Sequence, residues 1–121
     1  MKTILVVDDS EICREFMVTL LLNDGYKVLT AKNGKEGYNL CKQHKPDAVI
    51  LDILMPDMDG DEVAAAIKND PRISNTPVIF ISAMVLEHEI TKDNLVGGHY
   101  MIAKPFNGDE LRTILQKVLL K

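Results

Sequence analysis

The sequence predicts an α/β protein: a five-stranded parallel sheet in the order 2-1-3-4-5, with helices on both faces. Three observations lead there. Short apolar runs such as Thr3–Val7, Ala48–Leu51 and Val78–Ile81 lack the polar alternation of a half-exposed strand, so they read as strands buried on both faces. Stretches with apolar residues three and four apart lie between the runs, so strands alternate with helices and right-handed crossovers follow. The strands also end abruptly in polar residues, at the sheet edge where open α/β folds place their ligands. Alternation alone does not fix strand order; 2-1-3-4-5 is the common solution for five strands.

The elements follow in order. Thr3–Val7 is the first strand, closed by Asp8-Asp9-Ser10. Ser10 suits an N-cap, and Asp9 and Glu11 suit the positive end of a helix. That helix is predicted to run to about Asp24, with Ile12, Cys13, Phe16, Met17 and Leu20 as its inner stripe and Gly25 ending it. Tyr26 to Ala31 is the second strand. Asn33-Gly34 leads into a helix over roughly Lys35 to Gln43, whose internal Gly37 predicts a loose first turn. The central strand is Ala48 to Asp52; Pro56 and Gly60 then turn the chain toward a helix from about Asp61 to Asn69, with Val63, Ala66 and Ile67 inward. Asn69-Asp70-Pro71 breaks that helix. Val78–Ile81 is the fourth strand, ending at Ser82-Ala83. A helix from about Glu87 to Leu95 has a weak stripe and stops at Gly97-Gly98. Tyr100 to Ala103 is the fifth strand, ending at Lys104-Pro105-Phe106. Asn107 caps a last helix, Gly108 to Leu120, with Leu111, Ile114, Leu115 and Val118 inward.

Composition narrows the function. At 121 residues the chain is one domain, 1–121, and its 46% hydrophobic and 26% charged residues are ordinary for a soluble protein. A net charge of −4 argues against nucleic-acid binding. No apolar run approaches the ~20 residues of a membrane span, and Asp8-Asp9 interrupts the N-terminal run too early for a signal peptide. A cytoplasmic location is the default expectation. Cys13 and Cys41 have no metal or redox spacing and read as free thiols. His44, His88 and His99 are scattered and sit in no motif.

Four strand ends carry polar groups: Asp8-Asp9, Asp52, Ser82 and Lys104. Singly, an acid there is a helix cap, a serine is turn chemistry and a lysine is solvated. Together at one sheet edge they form a site. Three close carboxylates repel one another and need a cation. All-oxygen donors without histidine or thiolate select a hard ion, and Mg²⁺ fits best because it takes few carboxylates, keeps waters and accepts a phosphate. A carboxylate can be a nucleophile toward phosphorus, with metal and lysine offsetting charge on the phosphoryl oxygens. Ser82 can donate a hydrogen bond to the product.

Val6-Val7-Asp8-Asp9-Ser10, Asp52 to Gly60 with Met55-Pro56 and Met58-Asp59-Gly60, Ser82-Ala83 and Lys104-Pro105-Phe106 occur in order at characteristic spacings. With them the chain resembles a response-regulator receiver domain of two-component signalling over its whole length, a CheY-like, flavodoxin-like fold. The resemblance implies that Asp52 accepts the phosphoryl group. It implies that Asp9 binds Mg²⁺ directly, Asp8 mainly through water, and Leu54 through its backbone carbonyl. It makes Ser82 the switch hydroxyl, pairs Lys104 with the phosphoryl group, and puts a cis peptide before Pro105. The implied partners are a histidine kinase or histidine phosphotransfer protein, and a downstream protein on the face of the fourth helix, fifth strand and last helix. The apolar run Met84-Val85-Leu86 supports that face.

The pattern departs from the family at Met101, where an aromatic switch residue is usual; Tyr100 beside it points to the opposite face. Met101 either moves as a flexible substitute or is plain packing. Leu54 and Met84, apolar residues two positions after Asp52 and Ser82, cannot orient an attacking water, which predicts a long-lived phosphoryl state; the alternative is that the two side chains simply pack on each other and the rate is set elsewhere. Alternatives are a Mg²⁺ phosphatase with an aspartyl nucleophile, a flavodoxin-like cofactor binder and a degenerate receiver that works without phosphorylation. Apolar Leu54, where a phosphatase places its second acid, argues against the first. Asp8-Asp9, where a phosphate-binding loop is needed, argues against the second. The complete acid set with Lys104 argues against the third. No output domain follows the last helix, so the chain reads as a stand-alone receiver or a piece of a longer regulator.

Overall fold

Consecutive β-branched and leucine residues favour extended backbone, and burial of both their faces needs helices above and below the sheet. The computed structural model describes residues 1–53, 55, 58–82, 95–96, 99–104 and 106–119. Its elements are β1 (Thr3–Val7), α1 (Glu11–Asn23), β2 (Lys27–Ala31), α2 (Gly34–His44), β3 (Ala48–Asp52), α3 (Gly60–Asn69), β4 (Val78–Ser82), β5 (Leu95–Val96), β6 (His99–Ala103) and α4 (Gly108–Leu119). The five long strands are parallel and ordered β2-β1-β3-β4-β6, the predicted 2-1-3-4-5.

Side chains alternate across the strands into two cores. Leu5, Val7, Val49, Leu51, Phe80 and Met101 face Cys41 of α2 and Val63, Ala64 and Ile67 of α3. Ile4, Val6, Ile50, Ile79, Ile81 and Ile102 face Met17 and Leu21 of α1 and the Leu111, Ile114, Leu115 and Val118 stripe of α4. Met101 is buried in the first core and Tyr100 packs against the second, as opposite strand faces require.

Several expectations need correction. β5 pairs antiparallel with β6, Leu95 opposite Tyr100 and Val96 opposite His99, so Leu95 is strand where a helix end was expected. This pairing is non-local and leaves no helical or alternating signature in two residues. Ile12 and Phe16 are 82% and 46% exposed, because α1 buries the stripe through Met17 and Leu21 instead. In α3, Ala64 is buried and Ala66 only partly so. The first turn of α2 is regular: the Asn33 side chain accepts the Glu36 N–H at 2.8 Å. Gly37 has a packing reason there, since a Cβ would meet Val7 Cγ2 at 2.8 Å. Leu54, Met84, Val85, Leu86, His88, Pro105 and the helix expected before Leu95 lie outside the described residues.

The break after α3 carries a pH-dependent contact. Asp70 is 7% exposed and accepts hydrogen bonds from Arg72 N, Nε and Nη2 at 3.0, 3.0 and 2.8 Å, and from Tyr38 Oη at 3.2 Å. The hydrogen bonds from Arg72 hold its carboxyl well below the ordinary 3.8, against the effect of burial. A depressed native value gives stability that is complete above the unfolded pKa and lost as pH falls through the native one. The expected result is that wild type exceeds Asp70→Asn in urea midpoint at pH 6, and that the gap narrows steadily below pH 4. A gap constant from pH 6 to pH 2 would remove ionised Asp70 from the stability of this turn.

Candidate functional site

Strand register builds the site. Val7 pairs with Leu51, so Asp8 follows at the same sheet edge as Asp52; Asp52 pairs with Ile81, and Ser82 with Ala103, one residue before Lys104. One carboxylate oxygen from each of Asp8, Asp9 and Asp52 lies within 4.8 Å of the others. Asp8 and Asp52 are 0% and 5% exposed, whereas Asp9 is exposed. The Lys104 ammonium bridges the buried pair, donating to Asp8 Oδ2 at 3.0 Å and to Asp52 Oδ2 at 3.2 Å. Burial alone would lower the Lys104 pKa, but Asp8 and Asp52 outweigh it and hold it well above the usual 10.5. The ammonium is therefore charged at neutral pH. A raised native pKa gives stability that is complete below the unfolded value and lost only in strong alkali.

The surrounding backbone is anchored. Asp8 N–H donates to Ala31 O at 3.1 Å, and Ser10 N–H donates to Asp8 Oδ1 at 2.9 Å. Ser10 caps α1 by accepting the Cys13 N–H at 3.3 Å. Lys104 N–H donates to Ser82 O at 2.9 Å, tying the fourth and fifth long strands at the rim. Ser82 is 1% exposed. A Cβ on Gly60 would meet Asp52 O at 2.6 Å and Ile53 Cα at 2.7 Å, so the turn after Asp52 closes only over a hydrogen. Gly60 N–H donates to Ile53 O at 2.8 Å and fixes that turn.

The register thus brings Asp8, Asp9, Asp52 and Lys104 into one cluster, with Ser82 on the neighbouring strand end. Leu54 lies outside the described residues. Two further residues meet the cluster without having been assigned to it from the sequence. The Cys13 thiol lies against Asp8 and Lys104; burial first, then Asp8, pushes it up to about 11, so it is a neutral neighbour at pH 7. Arg14 Nη1 donates to the Asp8 backbone carbonyl at 2.7 Å. The only sequence signal was a base one helical turn beyond an acidic strand end.

The cluster fits a hard divalent ion. Three carboxylates against one ammonium leave negative charge uncompensated, and every donor is oxygen. The family pattern described as response regulator receiver domain matches residues 4–116. The chain belongs to that family. As a receiver domain of two-component signalling it is similar to protein PilH of Pseudomonas aeruginosa, 32% identical over 119 residues that cover 98% of each chain. It is 36% identical over 121 residues to histidine kinase P4 of Formosa agariphila, and 39% identical over 119 residues to the probable transcriptional regulator ycf27 of Guillardia theta. The chain spans only 8% and 45% of those two relatives' lengths. Among solved structures, chemotaxis protein CheY4 of Vibrio cholerae superposes with a TM-score of 0.85 at 31% identity, covering 98% of this chain and 99% of that one. Receiver domains are signalling modules outside the classical enzyme families, and the acidic cluster where they bind Mg²⁺ is present here. No described helix is long and apolar enough to cross a membrane.

Proposed function

We propose that this receiver domain takes a phosphoryl group onto Asp52 from the phosphohistidine of a histidine kinase or phosphotransfer protein, and signals by changing its partner surface. The observation that carries the reading is the Lys104 ammonium bridging Asp8 and Asp52 beside a three-carboxylate cluster. The Asp52 carboxylate oxygen attacks phosphorus, an O–P bond forms, and the N–P bond to the donor imidazole breaks; its electron pair stays on the imidazole nitrogen. Lys104 moves from Asp52 to a phosphoryl oxygen and offsets its charge while keeping Asp8 in place. The Ser82 hydroxyl donates to another phosphoryl oxygen. Asp8, Asp9, Asp52 and the Leu54 carbonyl would hold Mg²⁺, which when bound neutralises charge on the phosphoryl oxygens. A degenerate receiver would have no use for an ammonium held between two buried acids.

The donor's docking surface lies beside the rim. Ile12 and Phe16 of α1 are exposed, and the Phe16 ring tilts at 58° to Phe106 with centroids 5.8 Å apart. Exposed apolar side chains on the helix that follows Asp8 and Asp9 suit the apolar face of a helix that carries a histidine. The downstream partner takes the face of the sequence's fourth helix, β6 and α4. The domain works in the cytoplasm, on its own or within a longer regulator.

Acetyl phosphate supplies the test. With Mg²⁺ the protein is expected to take up close to one base-labile phosphoryl group per chain, and with EDTA essentially none. Mg²⁺ should also raise the melting temperature, since it relieves repulsion among the three carboxylates, and Asp9→Ala should shrink that increment. Equal labelling with and without metal would overturn the reading.

A further inference from the structure

We propose that Arg14 is a positioning residue for the metal site: it holds the Asp8–Asp9 peptide so that both carboxylates face the ion. The proposal rests on the reading of the acid cluster as a Mg²⁺ site. Asp8 and Asp9 sit in the short link between β1 and α1, three residues from the end of one to the start of the other. Such a link has few ways to fix its own peptide planes. Here Asp8 is held at every polar atom: N–H on Ala31 O, Oδ1 by Ser10 N–H, Oδ2 by Lys104, and the carbonyl oxygen by Arg14 Nη1 at 2.7 Å. Three of these four contacts are backbone groups or the ammonium at the site's centre. The fourth is a side chain reaching back from inside α1.

Two features separate this contact from a chance surface bond. Arg14 has Glu11 one turn before it and Glu15 next to it, yet among the described residues its guanidinium forms no ion pair. It points instead to a neutral carbonyl whose residue is 0% exposed. A buried carbonyl that loses a donor turns toward another one or toward water. Rotation of the Asp8–Asp9 peptide would carry the exposed Asp9 carboxylate with it. A charge-assisted bond is stronger than a neutral one, which suits a single contact with this task.

Electrostatics and positioning predict opposite signs, so the idea is open to a clean test. Arg14 is a cation beside an acidic cluster; deleting it should tighten Mg²⁺ binding if charge alone mattered. Positioning predicts weaker binding. Mg²⁺ affinity would be measured by calorimetry on the full chain for wild type, Arg14→Ala, Arg14→Gln and Arg14→Lys, with Asp9→Ala as reference. The expected result is a dissociation constant raised roughly three- to tenfold in Arg14→Ala and Arg14→Gln, with Arg14→Lys within about twofold of wild type because it keeps a charged donor. Metal-free melting temperatures control for folding. An Arg14→Ala or Arg14→Gln constant equal to or below that of wild type overturns the proposal, whether or not melting falls. Failure of wild type to bind Mg²⁺ at all would instead remove the metal reading, and this proposal with it.

Discussion

Asp52→Asn is expected to abolish labelling by acetyl phosphate, by at least about a hundredfold, because the attacking atom is gone and no other step replaces it. The substitution keeps size and shape at a site that is 5% exposed, so the fold should survive. It also removes one charge from a cluster whose oxygens lie within 4.8 Å, so the metal-free protein should be no less stable than wild type. Asp8 is a poor substitute nucleophile: both its carboxylate oxygens are engaged, one by Ser10 N–H and one by Lys104. Asp9 is exposed and could collect a trace of label. Peptide mapping separates the two, and stoichiometric label in Asp52→Asn that maps away from Asp9 would show that the nucleophile has been misassigned.

The parts of this molecule written in local pattern were legible in its sequence. β1, β3 and β4 are apolar runs buried on both faces and bounded by polar residues, and each appears within one residue of its expected limits. The clustering of strand-end residues was legible for the same reason: parallel register aligns the strand ends, which brings Asp8, Asp52 and Lys104 together and leaves Ser82 on the neighbouring strand end. What pattern could not reach was contact made across the chain. α1 is apolar around much of its circumference, and spacing alone could not say that Met17 and Leu21 face inward while Ile12 and Phe16 face out. β5 is two residues whose only reason to be extended is β6 beside them. Gly37 looked like a weakness in α2 because the Val7 side chain pressed against it is far away in sequence. Cys13 reads in sequence only as a free thiol on an inner stripe, and Arg14 has no reading at all, because an acidic strand end does not announce what returns to hold it.

Lys104→Met is expected to show that one ammonium serves both the resting fold and the reaction. In the metal-free protein Lys104 is the cation shared by Asp8 and Asp52, and its loss leaves two buried carboxylates facing a third. Breaking a fully buried pair from one side costs ~3–5 kcal/mol. The Lys104 side chain is 20% exposed, so solvent screening brings the expected loss to about 1–3 kcal/mol in urea unfolding at pH 7. One consequence fixes the cause as electrostatic. Mg²⁺ should stabilise Lys104→Met more than wild type, because the ion meets the same carboxylates without a competing ammonium. Labelling should nevertheless fall about ten- to a hundredfold at saturating Mg²⁺, equivalent to ~1.4–2.8 kcal/mol in the barrier, since the metal cannot reach every phosphoryl oxygen. Lys104→Arg should recover most of the stability and little of the rate, its planar fork fitting a carboxylate better than the point contact a transferring phosphoryl group needs here. A Lys104→Met protein as stable as wild type without metal, at pH 7, would mean that the bridge between Asp8 and Asp52 contributes nothing to the resting state.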